Sequence, residues 1–465
     1  MDVLTTKKAF WAEYPSFTLF VICLSLLFIR IYFRGDVLLL DESEQVVLAQ
    51  QFKPGYLGQP PLYSWLQYFF FQFFGSNLIA VALLKYSLLF LSFYCFFLIC
   101  EIHCESSSIA FYGLASWILI PSIGLDLIKD NTHSITVLLM VTLTWYWLVK
   151  PAPANKLLWY LIFGLIVGLG LLSKFNYLLF LIIAISAALS VKEYQTILCN
   201  RYIILSLVVS LLMFSPYLNW ILKHPQIAFS SAYKLNPHTH ASWQGFVKFV
   251  QNLLLFTLPV LACLWAFFPR ENYRLLSTAK DRLLKRYHLI AVPFLSLLVV
   301  IANIHDFKSR WLLPILFLSP LLFLSRLKNT VSVKKSGKFF LIFCLSAELV
   351  FLAILVLTQH TDQNREREKQ LRTIIQFVGQ NTKQDDWIVS DSFWLLGNLA
   401  SALSLKHLWL LSDANDYSLP KGRCLLVWLG DSIPFWVSQQ PKPLVQFISD
   451  PEKKMAIAGH TYLVF

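Results

Sequence analysis

The chain has 465 residues, of which 57% are hydrophobic and 14% charged, with a mean hydropathy of +0.60. That balance excludes an ordinary soluble domain, which exposes far more charge. The formal charge of +13 does not signal nucleic acid, because the Lys and Arg residues concentrate in alternate loops between apolar runs.

The first apolar run starts near Ser16 and continues unbroken to Phe33 without a small-residue cleavage site, so it reads as a membrane span rather than a cleaved leader. Apolar stretches long enough to cross a bilayer recur at 16–33, 77–100, 108–125, 133–149, 157–172, 177–191, 202–222, 246–268, 289–304, 311–325 and 339–358. About eleven spans put the termini on opposite sides. With the N-terminus cytoplasmic, the inner segments, including "KPAPANK" and "RLKNTVSVKKSGK", carry about twice the Lys and Arg of the outer loops. The stretch 38–65, "LDLIKDNTH", "SKFN" and "HDFKSR" then share the outer face.

Directly behind the first span lies "LLLDESEQVVLAQQFKPGYLGQPPLYSW". "ESEQVVLAQQF" has helical apolar spacing and predicts a short interfacial helix, broken by Pro54, Gly55, Gly58, Pro60 and Pro61. "LYSWLQYFFFQFF" is too short and too aromatic for a span and predicts a second interfacial helix. Asp41 and Glu42 open this loop.

After residue 358 the pattern changes. "TIIQFVGQNTKQ" predicts an amphipathic helix, and "WIVSD", "HLWLL" and "CLLVWL" predict short strands. The domains expected are 1–358 in the membrane and 359–465 as a small α/β domain on the outer side. The eight cysteines form no CxxC or metal spacing and read as small apolar residues.

An Asp-Glu pair after the first span, an interfacial helix and then "GY…PPLYSWL" resembles the first outer loop of GT-C glycosyltransferases. The resemblance is to the protein O-mannosyltransferase and aminoarabinose-transferase superfamily. "KDNTHSITVLLMVTLTWYWL", "GLLSKFNYLLFL" and "KSRWLLPILFLSPLL" resemble later family segments, so the likeness covers roughly 16–325. Gln59 departs from the pattern, standing where relatives often carry His or Lys.

The resemblance implies an all-α polytopic membrane enzyme that moves a sugar from a polyprenyl-phosphate donor to a lipid, glycan or protein acceptor outside the cytoplasm. A bacterial inner membrane is the expected location. The chemistry of such a donor agrees: its lipid must stay in the bilayer and its sugar phosphate in water. A carboxylate taking the acceptor's proton supplies general base catalysis. Asp41 is the expected base and Glu42 the second choice. Cations must meet the departing phosphate, and Lys174, Lys308 and Arg310 stand at outer span ends. Lys85, inside the second span, joins them as an intramembrane charge. Asp130, Tyr56 and Tyr63 are expected substrate contacts. No cofactor is required for the transfer. His238 and His240 are the candidates for an outer-face metal and lack two further ligands.

Each residue also has a bland reading: solvated loop acids for Asp41 and Glu42, a helix-terminal acid for Asp130, and snorkelling for Lys174. The rival function is a transporter or lipid flippase, which would place ionisable groups near the midplane on paired broken helices. Little of that pattern is visible.

Overall fold

The computed structural model describes residues 13–151, 155–235, 243–268, 270–274, 278–383, 385–412, 418–429, 434–438, 444–450 and 453–462. His238 and His240 lie outside them.

The chain is largely helical and folds as an integral membrane protein. Among the described residues, seven helices are long and apolar enough to cross a bilayer: Pro15–Tyr32, Leu78–His103, Thr132–Val149, Ile203–Lys223, Trp243–Phe267, Ala279–Ile301 and Val331–Gln359. The other four apolar stretches are helical too, but shorter or broken. Lys156–Leu171 runs 16 residues, and Asn176–Leu189 turns by 118° into Lys192–Leu198. The stretch predicted at 108–125 divides at Pro121 into an α-helix, a 3-10 turn and a π-helical segment over Ser122–Leu127. The stretch at 311–325 divides into Leu313–Leu316 and Leu321–Leu324, with Pro314 in the first piece and Pro320 opening the second. Hydropathy registered these runs correctly as apolar helices; their continuity is set by proline and by packing.

The chain forms two compact bodies. The first comprises Met1–Leu26, Pro54–Tyr63 and Lys85–Ile354. Its interior is aromatic: Trp117 stacks on Phe96 at 3.8 Å between ring centroids, and Trp145 meets Tyr287 edge-on at 4.9 Å. The turn over 54–63 is fastened here. Gly58 takes a left-handed φ of +71°, its N–H donates to the Ile227 carbonyl at 3.0 Å, and Leu62 N–H donates to the Leu172 carbonyl at 2.9 Å.

The second body comprises Leu27–Lys53, Ser64–Leu84 and Leu355–Phe465. Helix α1 (Leu40–Leu48) buries Glu42, Ser43, Gln45 and Val46, a face at helical spacing. Helix α2 (Leu62–Phe74) follows Pro60 and Pro61 and stops at Gly75, whose φ of +77° terminates it. Both interfacial helices were predicted; α1 starts at Leu40, two residues before the Glu42 that opened the pattern, so Asp41 sits in its first turn rather than before it.

The end of the chain supplies α3 (Asp362–Asn381), β1 (Trp387–Ser390), α4 (Phe393–Leu403), β2 (Leu408–Leu410), β3 (Cys424–Val427), β4 (Leu444–Asp450) and β5 (Lys453–Tyr462). The strand order is β2-β1-β3-β5-β4. β1 pairs parallel with β2 and β3; β5 runs antiparallel to β3 and β4. Leu371, Ile374 and Val378 of α3 and Leu395, Leu396 and Leu399 of α4 share a core with Ile388, Leu425 and Val427. A second core holds Leu38, Val46, Phe71, Val81 and Ala400. Through it α4 is packed on the loop that follows the first span.

Candidate active site

In the second body, α1 presents its two acids differently. Glu42 is fully buried and faces Arg30, itself 1% exposed, in the last turn of the first span. Arg30 Nε donates to Glu42 Oε1 at 3.0 Å and Nη2 to Oε2 at 2.5 Å, the two-pronged geometry a guanidinium favours. The same oxygen, Oε2, accepts the Leu39 N–H at 3.0 Å and closes the start of the helix. Arg30 also donates to the carbonyls of Gly35 and Val37 at 2.8 and 3.1 Å. Both Glu42 oxygens are therefore committed to holding the loop. Asp41, one residue earlier, is half-exposed, and a carboxylate that takes a proton from a substrate needs such access. On the buried side, Ser64 Oγ donates to Gln45 Oε1 at 2.8 Å and ties α2 to α1.

In the first body, the predicted cations converge on the segment 126–134. Lys85, fully buried, donates from Nζ to the Ile128 carbonyl at 3.2 Å, and Tyr86 Oη reaches the same oxygen at 3.4 Å. Lys174 Nζ donates to Ser134 Oγ at 2.9 Å. Arg310 Nη1 donates to Asn131 Oδ1 at 3.2 Å. Asn131 caps helix Thr132–Val149 with a left-handed φ of +67° and donates from Nδ2 to the Asp126 carbonyl at 3.1 Å. The buried Tyr63 ring lies 5.6 Å from that of His133. Four sequence candidates, Tyr63, Lys85, Lys174 and Arg310, thus touch one nine-residue segment that also contains Asp130.

A helix start carries unsatisfied N–H groups and a partial positive charge. With two or three cations around it, the arrangement suits an anion such as phosphate. Among the described residues Arg310 uses one of its five N–H donors. Burial raises the Asp126 carboxyl above its ordinary range, with Arg310 and Lys129 pulling the other way.

The remaining candidates separate from this segment. Lys308 is exposed and only precedes the 3-10 turn Ser309–Trp311. Tyr56 is 4% exposed and bridges to Gln59 within the 54–63 turn. Asp130 is half-buried one residue before the cap, not in the first helical turn where the sequence placed it. Among the described residues no group of three His, Cys, Asp or Glu is placed to hold a metal. The sequence reading missed Arg30 altogether. An arginine in the last turn of an apolar span, followed within twelve residues by a pair of acids, is the signal that could have found it.

Comparison with known proteins fits this geometry. The profile of the family described as dolichyl-phosphate-mannose-protein mannosyltransferase matches residues 58–220, the stretch containing Tyr63, Lys85, Asp130 and Lys174. The fold matches that of ArnT from Cupriavidus metallidurans in two crystal structures. The form bound to undecaprenyl phosphate gives a TM-score of 0.70 at 11% identity over 97% of this chain and 98% of that one. The apo form gives 0.65 at 12% identity over 96% and 98%. The chain is thus similar in sequence, over residues 58–220, to the mannosyltransferase family and shares the ArnT fold. Two curated relatives come from Rhizobium johnstonii. The lipopolysaccharide core galacturonosyltransferase RgtB is 29% identical over 61% of this chain and 59% of its own length. RgtA, of the same description, is 28% identical over 62% and 60%. The chain thus spans about three-fifths of the length of the curated relatives it matches.

Proposed function

We propose that this chain is a membrane glycosyltransferase of the GT-C type that takes a sugar from a polyprenyl-phosphate donor and adds it to a lipopolysaccharide-type glycolipid. The observation that carries the reading is the convergence of Lys85, Lys174 and Arg310 on the start of helix Thr132–Val149. A lipid phosphate is already a good leaving group, so it needs cations as negative charge builds rather than an acid to protonate it. The undecaprenyl phosphate in the ArnT structure and the acceptor named for RgtA and RgtB support the donor and acceptor classes.

Asp41 is the proposed base, taking the acceptor hydroxyl's proton as its oxygen attacks the anomeric carbon and the sugar–phosphate bond breaks. Glu42, with both oxygens engaged by Arg30 and Leu39, holds the helix that carries Asp41. Asp130, Tyr56 and Tyr63 are proposed to shape the substrate sites, with Lys308 at most a peripheral cation. The transfer as drawn uses no metal. The N-terminus is placed in the cytoplasm and the segment after residue 358 outside it, in a bacterial inner membrane, on the loop charges. Transport is the weaker reading, since the named relatives are transferases.

The test compares envelope glycolipids by mass spectrometry from strains carrying the intact gene, a deletion, and an Asp41→Asn allele at equal protein level. Loss of one sugar mass in the deletion, with at least about a hundred-fold loss in Asp41→Asn, is expected. A deletion phenotype with Asp41→Asn fully active would overturn the base assignment.

A further inference from the structure

The C-terminal segment does more than follow the membrane helices: one of its side chains grips the chain on both sides of Asp41, the Leu38 backbone before it and the Ser43 hydroxyl after it. Asn398, on α4, is 4% exposed. Its Oδ1 accepts the Leu38 N–H at 2.8 Å, and its Nδ2 donates to the Leu38 carbonyl at 3.2 Å. Nδ2 also reaches Ser43 Oγ at 3.2 Å and the Trp394 carbonyl at 2.8 Å. An amide has two hydrogens, so one of them is shared between acceptors. Leu38 lies three residues before Asp41 and Ser43 two residues after it, so a single amide holds the chain at both ends of the turn that presents the carboxylate.

The preceding residue sets how close α4 can come. A Cβ built on Gly397 would stand 2.5 Å from the Ser43 carbonyl oxygen and 2.6 Å from Ser43 Cα, distances no real Cβ tolerates against backbone. Gly397 is therefore the position at which α4 meets α1 backbone to backbone, and Asn398 is delivered to Leu38 by that approach. Ala400, one turn further, joins Leu38 and Val46 in the same core. Arg30 and Glu42 hold α1 from the span side, and Gly397 and Asn398 hold it from the α4 side.

We propose that Asn398, seated by Gly397, is a positioning residue for the base: it fixes the aim of Asp41 without touching substrate. The inference rests on the assignment of Asp41. A general base loses rate steeply when its oxygen moves by an ångström, and polar partners that orient a catalytic group are valued by that effect rather than by stability.

The experiment uses the full-length protein. Asn398→Ala, Asn398→Asp, Gly397→Ala and Asp41→Asn are each measured for sugar transferred to envelope glycolipid per folded molecule. Undecaprenyl phosphate binding is read by native mass spectrometry, and amide hydrogen exchange is followed over 38–43. Asn398→Ala is expected to lower transfer roughly ten- to a hundred-fold and to speed exchange at 38–43 about ten-fold. Undecaprenyl phosphate binding should stay within about two-fold, a split that general misfolding would not give. Gly397→Ala is expected to act in the same direction. Asn398→Asp keeps the volume and the acceptor for Leu38 N–H but sets a carboxyl against the Leu38 and Trp394 carbonyls, so it also loses transfer, counted per folded molecule. Full transfer by Asn398→Asp and Asn398→Ala, or lost transfer with unchanged exchange at 38–43, would overturn the proposal. Should Asp41→Asn retain full transfer, the base assignment fails instead, while the exchange measurement still decides whether Asn398 holds the loop.

Discussion

The two neighbouring acids of α1 give the sharpest prediction, because the structure gives them opposite surroundings. Replacing Glu42 by Gln removes the carboxylate that meets the Arg30 guanidinium, which is buried at 1% exposure. It also turns an amide N–H₂ towards donors that had two carboxylate oxygens. Breaking one side of a buried pair costs about 3–5 kcal/mol. The second body contains about 160 residues, a size at which 1 kcal/mol moves the midpoint by about 2–4 °C. Glu42→Gln should therefore lower the thermal midpoint of the purified protein in detergent by about 10 °C. Asp41→Asn, altering a half-exposed side chain, should move it by no more than about 2 °C while abolishing transfer. The double variant Arg30→Met with Glu42→Leu should recover part of the lost midpoint, since removing both charges removes the desolvation cost while the Gly35 and Val37 carbonyls and the Leu39 N–H lose their partners. A Glu42→Gln midpoint equal to that of the intact protein would refute the reasoning. So would a double variant as unstable as the single one, because the loss would then come from packing and not from a stranded charge.

Two further outcomes follow from the first body. Lys174→Ala and Arg310→Ala should each weaken undecaprenyl phosphate binding about ten-fold or more, the worth of one charge-assisted hydrogen bond. Arg310→Lys should restore only part, because an ammonium lacks the planar fork; titration by native mass spectrometry at two salt concentrations measures it, and affinity unchanged within about two-fold would refute the anion site. Burial raises the Asp126 carboxyl, so the folded state binds its proton more readily than the unfolded chain does. That contribution is present below the unfolded value of 3.8 and is lost as pH rises through the raised one. Asp126→Asn should gain stability relative to the intact protein as pH goes up from about 4, read from paired melts; a midpoint difference, variant minus intact, that falls or stays constant with rising pH would contradict it.

The sequence revealed whatever depends on local pattern. The interfacial helices were legible from the 3.6-residue spacing of "ESEQVVLAQQF" and from the proline and glycine break behind it. The strands Trp387–Ser390, Leu408–Leu410 and Cys424–Val427 were legible from short apolar runs. The grouping of Lys174 and Arg310 was half legible: both stand at span ends, yet only the fold brings them to Ser134 and Asn131. What could not be read is what lies far apart along the chain. Asp41 and Glu42 look alike in sequence, and their surroundings separate only because a helix turns one of them towards Arg30. Asn398 sits in "FWLLGNLASAL" as one polar residue among apolar ones. Nothing local announces that it pairs with Leu38. Span continuity failed for a related reason: composition reports that a run is apolar, whereas Pro121, Pro314 and Pro320 decide whether the helix through it is whole.

The bond between Leu38 and Asn398 joins residues 360 positions apart. A ribosome adds about 5–20 residues per second, so for tens of seconds the first loop exists without the side chain that fixes it. During that time Arg30 and Glu42 can already meet, being twelve residues apart, but the turn bearing Asp41 has only one of its two restraints. An interrupted chain would thus hold its acid and most of its cations in the membrane without a fixed reactive geometry. Synthesis past residue 398, and not of the membrane helices alone, is what gives the first loop its second restraint.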